Sequence, residues 1–332
     1  MNSKFKFAAL TAIALAGFNG PAMAQEFTFT FGHVLMEDTP NGKAARAFEK
    51  EVEEKSNGRI EINVIPAGGL GGDVDIIEQL QNDLVQIAIP PTATLGNFEP
   101  KLQVLDLPFI LPSEEMMVKV LDGEVGRSIL DTLDQHGMHG VNFWGAGFRN
   151  ITNNVREITS VEDLAGIKMR TMQAPVILTQ YNEWGANPTA MAFAEVYGGL
   201  QAGVVDGQEN PIANIVAMKF YEVQKYMTLS SHAYHGYAAV MSENAWNSLP
   251  DDLRAIVVTA FDNARDLARE LTNEYEAEEL AKISSDIAVH RLTDAEKEAF
   301  IKGSFAVHEA FADVVTPELI NSIYAVTGAG PK

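Results

Sequence analysis

The chain has 332 residues, with 24 Lys+Arg against 45 Asp+Glu, a formal charge of −21 and no cysteine. That acidity argues against nucleic acid and anionic lipid surfaces as partners. Without thiols there is no disulfide and no cysteine nucleophile, so the core alone must hold the fold.

Residues 1–24 read as a secretory signal peptide. Lys4 and Lys6 precede an apolar run from Phe7 to Phe18, and Ala22-Met23-Ala24 fits the small-x-small rule for cleavage after Ala24. A membrane anchor is the alternative, but the run falls short of the ~20 residues a span needs. No later segment is long and apolar enough either, so no direct membrane insertion is expected. Cleavage removes two lysines and no acid, so −21 becomes −23. The roughly 308 residues that remain predict two domains.

Gln25 to Val34 alternates as a strand, and Pro40 to Ser56 follows as a helix with Ala44, Ala45, Phe48 and Val52 on one face. Asn57-Gly58 ends it. Arg59 to Ile65 is a second strand. A glycine-rich loop over Pro66 to Gly72 leads to a helix capped by Asp73 or Asp75, and Val85 to Ile89 is a third strand. This β-α-β-α-β order predicts the α/β class with a parallel sheet. Beyond a loop-and-helix stretch, Val141 to Gly145 and Ile167 to Arg170 are strands, and Ala174 to Trp184 and Phe193 to Gly203 are helices. Val204 to Gly207 reads as a strand end running into a turn. Tyr226 to Ser231 and Tyr237 to Ser242 read as one long strand crossing between domains. Pro250 opens the longest helix, whose 3.6-residue period carries it to about Ile283; a short strand and two helices finish the chain. With no linker between the domains, several crossings and a cleft that opens and closes are expected.

Enzyme signatures are missing. There is no Gly-x-Ser-x-Gly and no His-Glu-x-x-His, and GGLGGD at 68–73 lacks both the phosphate-loop Lys-Ser/Thr and dinucleotide spacing. His136 and His139 sit beside glycines. His232 and His235 are three apart in a β-like stretch, which sends them to opposite faces, so no metal site and no cofactor is expected. Asp251-Asp252 are helix-start charges.

The arginines are more telling. Arg149 lies in GAGFRN and Arg170 in AGIKMRT, each just past an apolar strand. Open α/β sheets bind ligands beyond the carboxyl ends of strands. A guanidinium also offers a rigid donor fork that matches a carboxylate. A surface ion pair would explain either arginine alone. Together they predict a shared anion site. In VVDGQENP, Asn210 supplies a donor and an acceptor, or else simply caps the helix that follows; Phe193 is either a pocket wall or core.

The stretches FGHVLMEDTPNGKAARAFEKEVEEKSNGRIEINVIPAGGLGGD, LDLPFIL, GFRNITN, VEDLAGIKMR, NPTAMAFAEVYGGLQAGVVDGQENP and FYEVQKYMTLSSHAYHGY resemble the DctP-type substrate-binding subunits of tripartite ATP-independent periplasmic (TRAP) transporters, over nearly all of the mature chain. The resemblance implies a two-lobed periplasmic binding protein of type II-like α/β fold, with the ligand in the interlobe cleft and a long helix spanning both lobes. Lobe I would comprise 25–147 plus 236–275, and lobe II 148–235 plus 276–332. It implies a periplasmic location, no enzymatic activity, and an organic acid as solute, either a sugar acid such as a uronate or aldonate or a C4-type dicarboxylate. TRAP membrane subunits would be the partners. Arg170 would hold the carboxylate, Arg149 and Asn210 would assist, and Phe193 would pack beside it. His33, Glu37, Asp73, Thr92, Tyr234 and His235 are expected at the far end of the pocket. The rival class is an exported lyase or hydrolase acting on acidic sugars.

Overall fold

The computed structural model describes residues 25–331. The expected signal peptide therefore lies outside the described residues. In chain order the strands are β1 Phe27–Gly32, β2 Ile60–Ile65, β3 Ile87–Ala88, β4 Met138–Phe148, β5 Asn150–Asn153, β6 Lys168–Thr171, β7 Asn187–Ala190, β8 Gly207–Asn210, β9 Tyr226–Leu229, β10 Tyr234–Ser242 and β11 Ala288–Arg291. They form two sheets, ordered β2-β1-β3-β10-β4 and β11-β9-β5-β8-β6-β7.

The first sheet grows from the expected β-α-β-α-β segment. β1 is parallel to β2 and β3, and β10 runs antiparallel between β3 and β4. Helix Pro40–Lys55 begins at Thr39, whose hydroxyl accepts from the Gly42 N–H at 3.1 Å. It turns Ala44, Ala45, Phe48 and Val52 inward. Phe48 stacks on Phe261 of the long helix Asp251–Ile283 at 4.2 Å between ring centres. That helix has 33 residues, which at the α-helical rise is about 50 Å. Its early part packs on helix Pro40–Lys55 and β4. Its end, Ile283, joins a separate apolar cluster with Met227 of β9 and Ile287.

The chain passes between the sheets three times, once from β10 to β11 by way of the long helix and twice at adjacent points. β4 ends at Phe148 in the first sheet and β5 starts at Asn150 in the second, with Arg149 alone between them. Residues 230–233 carry the chain back from β9 to β10. The crossings are tied together: the Arg149 N–H donates to the Ala233 carbonyl at 2.8 Å, and the His232 N–H to the Arg149 carbonyl at 3.3 Å. The single long strand expected over 226–242 is therefore two strands in two sheets. Its continuous β-rich composition hides a break at Ser231, which has a positive φ of 44°. Gly147, next to the other crossing, has φ +93°, a backbone conformation that favours glycine, and a Cβ there would have to displace the end of the Glu276 side chain, 2.1 Å away.

Candidate functional site

A narrow cavity lies between the two sheets. Val34, Leu35, Asp73 and Pro91 line it from the β1 and β3 side. Arg170, Met172, Phe193, Asn210 and Asn214 come from the second sheet's segments, and His235 and Tyr237 from β10. Five expected residues, Arg170, Asn210, Phe193, Asp73 and His235, thus meet in one place.

Arg170 sits near the end of β6, which pairs parallel with β7. Met169 before it is fully buried, the apolar alternate of the strand. The Arg170 side chain folds back so that Nε and Nη2 both donate to the Met191 carbonyl, at 3.0 and 2.7 Å. Nη1 has no hydrogen-bond partner among the described residues. The residue is 3% exposed. Burial pushes its pKa down to about 10, against the opposing pull of the Glu209 and Asp73 charges. The group stays a cation at neutral pH and has no ion-pair partner within 4 Å among the described residues.

Arg149 differs in every one of these respects. Its Nη1 donates to both Glu209 oxygens at 2.9 and 3.0 Å, and its Nη2 to Asp106 Oδ1 at 3.1 Å. All three side chains are fully buried. Burial alone would lower the Arg149 pKa; the Glu209 and Asp106 charges outweigh it and hold the pKa above its ordinary value. Burial raises Asp106 to about 6 and raises Glu209 as well, with Arg149 opposing both shifts. Arg149 therefore belongs to a neutralised cluster that locks the crossing and does not line the cavity, contrary to the expectation of a second ligand-facing guanidinium. The strand geometry explains the split. Along β8 alternate side chains face opposite ways, so Glu209 points at Arg149 while Asn210 faces the cavity.

Asn210 is held on both ends. Its Nδ2 donates to Gln208 Oε1 at 2.6 Å, and its Oδ1 accepts from Asn214 Nδ2 at 3.1 Å. Phe193 starts a 3₁₀ turn, Phe193–Glu195, and stands edge-on to Phe220 at 5.9 Å. Asp73 opens helix Asp73–Gln81 after the glycine loop, where Gly71 has φ +111°. Burial raises its pKa to about 7, with the Arg170 charge pulling the other way. His235 is buried beside Tyr237, at 4.8 Å between rings, and neither ring nitrogen has a partner among the described residues. Burial, then the charges of Arg149 and Arg170, holds its pKa well below the usual imidazole value, so the ring is neutral.

Four further expected residues lie elsewhere. Glu37 points to the surface and accepts from Arg46 Nε at 2.9 Å, its side chain 56% exposed, because the nearest cation is on the outer face of helix Pro40–Lys55. His33 is buried against the edge of Phe31, and burial lowers its pKa to about 4. Thr92 donates to Asp106 Oδ2 at 2.7 Å and so supports the Arg149 cluster from behind. Tyr234 lines a different hollow, with Phe148, Arg269 and Glu276, because β10 turns its side chain toward the long helix.

Sequence reasoning passed over Met172, Asn214 and Tyr237 in the cavity and Asp106 and Glu209 behind it. Glu209 had a legible signal, being the period-two alternate of Asn210 in the same run. Asp106 had none, since it reaches Arg149 across 43 positions. Among the described residues no group of three or more His, Asp or Glu is placed to hold a metal, and no helix is long and apolar enough to cross a membrane.

Comparison with known proteins agrees with this architecture. The family model described as "Bacterial extracellular solute-binding protein, family 7" (DctP) matches residues 31–313. The C4-dicarboxylate-binding periplasmic protein DctP of Rhodobacter capsulatus is 36% identical over 320 residues, 96% of each chain. A TRAP periplasmic solute-binding protein of Sulfurospirillum deleyianum, solved with bound succinate, superposes with a TM-score of 0.87 at 38% identity, covering 91% of this chain and 100% of that one. The sugar acid binding protein DctPAm of Advenella mimigardefordensis, solved with galactonate, gives a TM-score of 0.88 at 31% identity, covering 92% and 99%. Sequence, fold and the placement of a cavity between two sheets converge, and this chain belongs to the bacterial extracellular solute-binding proteins of family 7, the DctP family of TRAP transport systems.

Proposed function

We propose that this protein captures a small organic acid between its two lobes, with the acid's carboxylate on Arg170, and delivers it to TRAP membrane subunits. One observation carries the reading: a buried guanidinium faces an interlobe cavity with only a backbone carbonyl as its fixed acceptor, while its neighbour Arg149 is matched by two carboxylates. Asp73 and Glu209 act on Arg170 only from beyond ion-pair distance, and an incoming carboxylate supplies the direct partner that the buried cation lacks. Asn210, held by Gln208 and Asn214, positions the acid, and Phe193 packs on its apolar part. The lobes are 25–147 plus 236–275, and 148–235 plus 276–332. Bound succinate and galactonate in the related structures support the same class.

The protein works by binding and release rather than by turnover, outside the cytoplasm, after loss of the leader ending at Ala24. A thermal-shift screen of organic acids tests the reading. A ligand at 100 times its dissociation constant adds about 2.7 kcal/mol, enough to raise the melting temperature by several degrees. A screen of dicarboxylates, uronates and aldonates without a single shift would refute it. Mass spectrometry after incubation with the tightest acid should return that acid unchanged; a stoichiometric product would point to the enzyme reading.

A further inference from the structure

We propose that Asp73 makes the site selective for a hydroxylated monocarboxylate, a sugar acid, over a dicarboxylate; this rests on the placement of the solute's carboxylate at Arg170. Arg170 is the one cation among the residues that line the cavity. The other nearby guanidinium, Arg149, is already bonded to Glu209 and Asp106. The wall otherwise carries an acid, Asp73, two amides, Asn210 and Asn214, the hydroxyl of Tyr237 and the imidazole of His235.

The chemistry of that wall discriminates. A carboxylate accepts hydrogen bonds and donates none, whereas a hydroxyl does both. Above its pKa of about 7 Asp73 is ionised and acceptor-only, and a neutral imidazole presents one donor and one acceptor nitrogen. Asp73 has no side-chain hydrogen bond and His235 has no ring partner among the described residues. Ionised Asp73 needs hydrogens from the ligand, and His235 needs both a hydrogen and an acceptor, which hydroxyls provide together. The hydroxyls of a sugar acid supply them, and a second carboxylate does not.

Charge points the same way. Two guanidiniums and three carboxylates, Asp73, Asp106 and Glu209, surround the site, and the imidazoles of His33, His232 and His235 are all held neutral by burial. One ligand carboxylate is met by Arg170. A second would lie against Asp73 with no cation of its own, and once Asp73 is ionised, above pH 7, the two like charges repel.

The test is calorimetric titration at pH 8, where Asp73 is ionised, of wild type, Asp73→Asn and Arg170→Ala with galactonate, galacturonate, glucuronate, succinate, malate and fumarate. In wild type the tightest binder is a sugar acid, at least 10-fold tighter than any dicarboxylate. In Asp73→Asn that ratio falls by 10-fold or more, with dicarboxylates gaining affinity. A dicarboxylate as the tightest wild-type ligand, or an unchanged ratio in the variant, overturns the inference while leaving the Arg170 reading intact. Arg170→Ala that binds every acid as wild type does, or a wild type that binds none of the six, overturns both. Should Asp73→Asn fail to fold by circular dichroism, Asp73→Ser removes the same charge and is read by the same criterion.

Discussion

Glu209→Gln separates the two arginines. The variant keeps the shape and one acceptor oxygen but removes the charge that both Arg149 Nη1 bonds, at 2.9 and 3.0 Å, are made to. Breaking a buried pair on one side costs about 3–5 kcal/mol, since the other charge is left uncompensated. Asp106 still faces Nη2 at 3.1 Å, which places the expected loss near 3 kcal/mol. At about 2 °C per kcal/mol for a chain of this size, the melting temperature should fall by roughly 6 °C. Urea denaturation of the ligand-free protein gives the free energy directly. Arg170→Ala should change the same quantity by no more than about 1–2 kcal/mol, because the charge-assisted bonds it loses to one carbonyl are offset by release of a buried cation with no direct ion-pair partner. If Glu209→Gln unfolds within 1 kcal/mol of wild type, Arg149 is not held by its carboxylates in solution, and the assignment of one arginine to structure and the other to ligand fails.

Three other expectations can be checked independently. Gly147→Ala should lower stability by about 1–3 kcal/mol, through a positive φ and the contact with Glu276; an unchanged melting temperature would show that the crossing relaxes freely. His232 is buried, and its folded pKa of about 3 lies below its unfolded value near 6.5. The unfolded chain therefore takes up a proton that the native state refuses, so this group removes stability as pH falls from 6.5 toward 3. His232→Gln should shrink the stability difference between pH 6.5 and 5 by about 2 kcal/mol in urea titrations; a slope equal to wild type would contradict it. Asp73 runs the other way: its folded pKa is raised to about 7 from an unfolded value near 4, so its penalty is absent below pH 4, grows between pH 4 and 7, and is complete above 7. Asp73→Asn should therefore gain melting temperature over wild type at pH 8 and lose that advantage at pH 4; equal gains at both would refute the raised pKa.

Elements with strong apolar periodicity were legible in the sequence, and polar ones were not. Helices Pro40–Lys55 and Asp251–Ile283, with strands β1 and β2, follow directly from alternation and 3.6-residue spacing. β5 (NITN), β7 (NPTA) and β8 (GQEN) carry no apolar alternation. β5 and β8 are buried because their side chains satisfy one another, as Gln208 Nε2 does with Thr152 Oγ1 at 2.9 Å. The site followed the same rule. Arg170, Asn210 and Phe193 were found from strand ends and turn chemistry, which are local signals. Arg149 stands at an equally good strand end, yet two acids reach it from 43 and 60 positions away, and no local pattern records that. Glu37 and Tyr234 were expected at the far end of the pocket without the alternation that decides which way a side chain faces.

The most direct test of the account is isothermal titration of wild type and Arg170→Ala with the tightest acid found in the thermal-shift screen. Removing the one guanidinium open to the cavity should cost on the order of 2–5 kcal/mol, at least a 30-fold weaker dissociation constant, with the melting temperature of the ligand-free protein nearly unchanged. Native affinity in that variant would mean that the solute is held elsewhere.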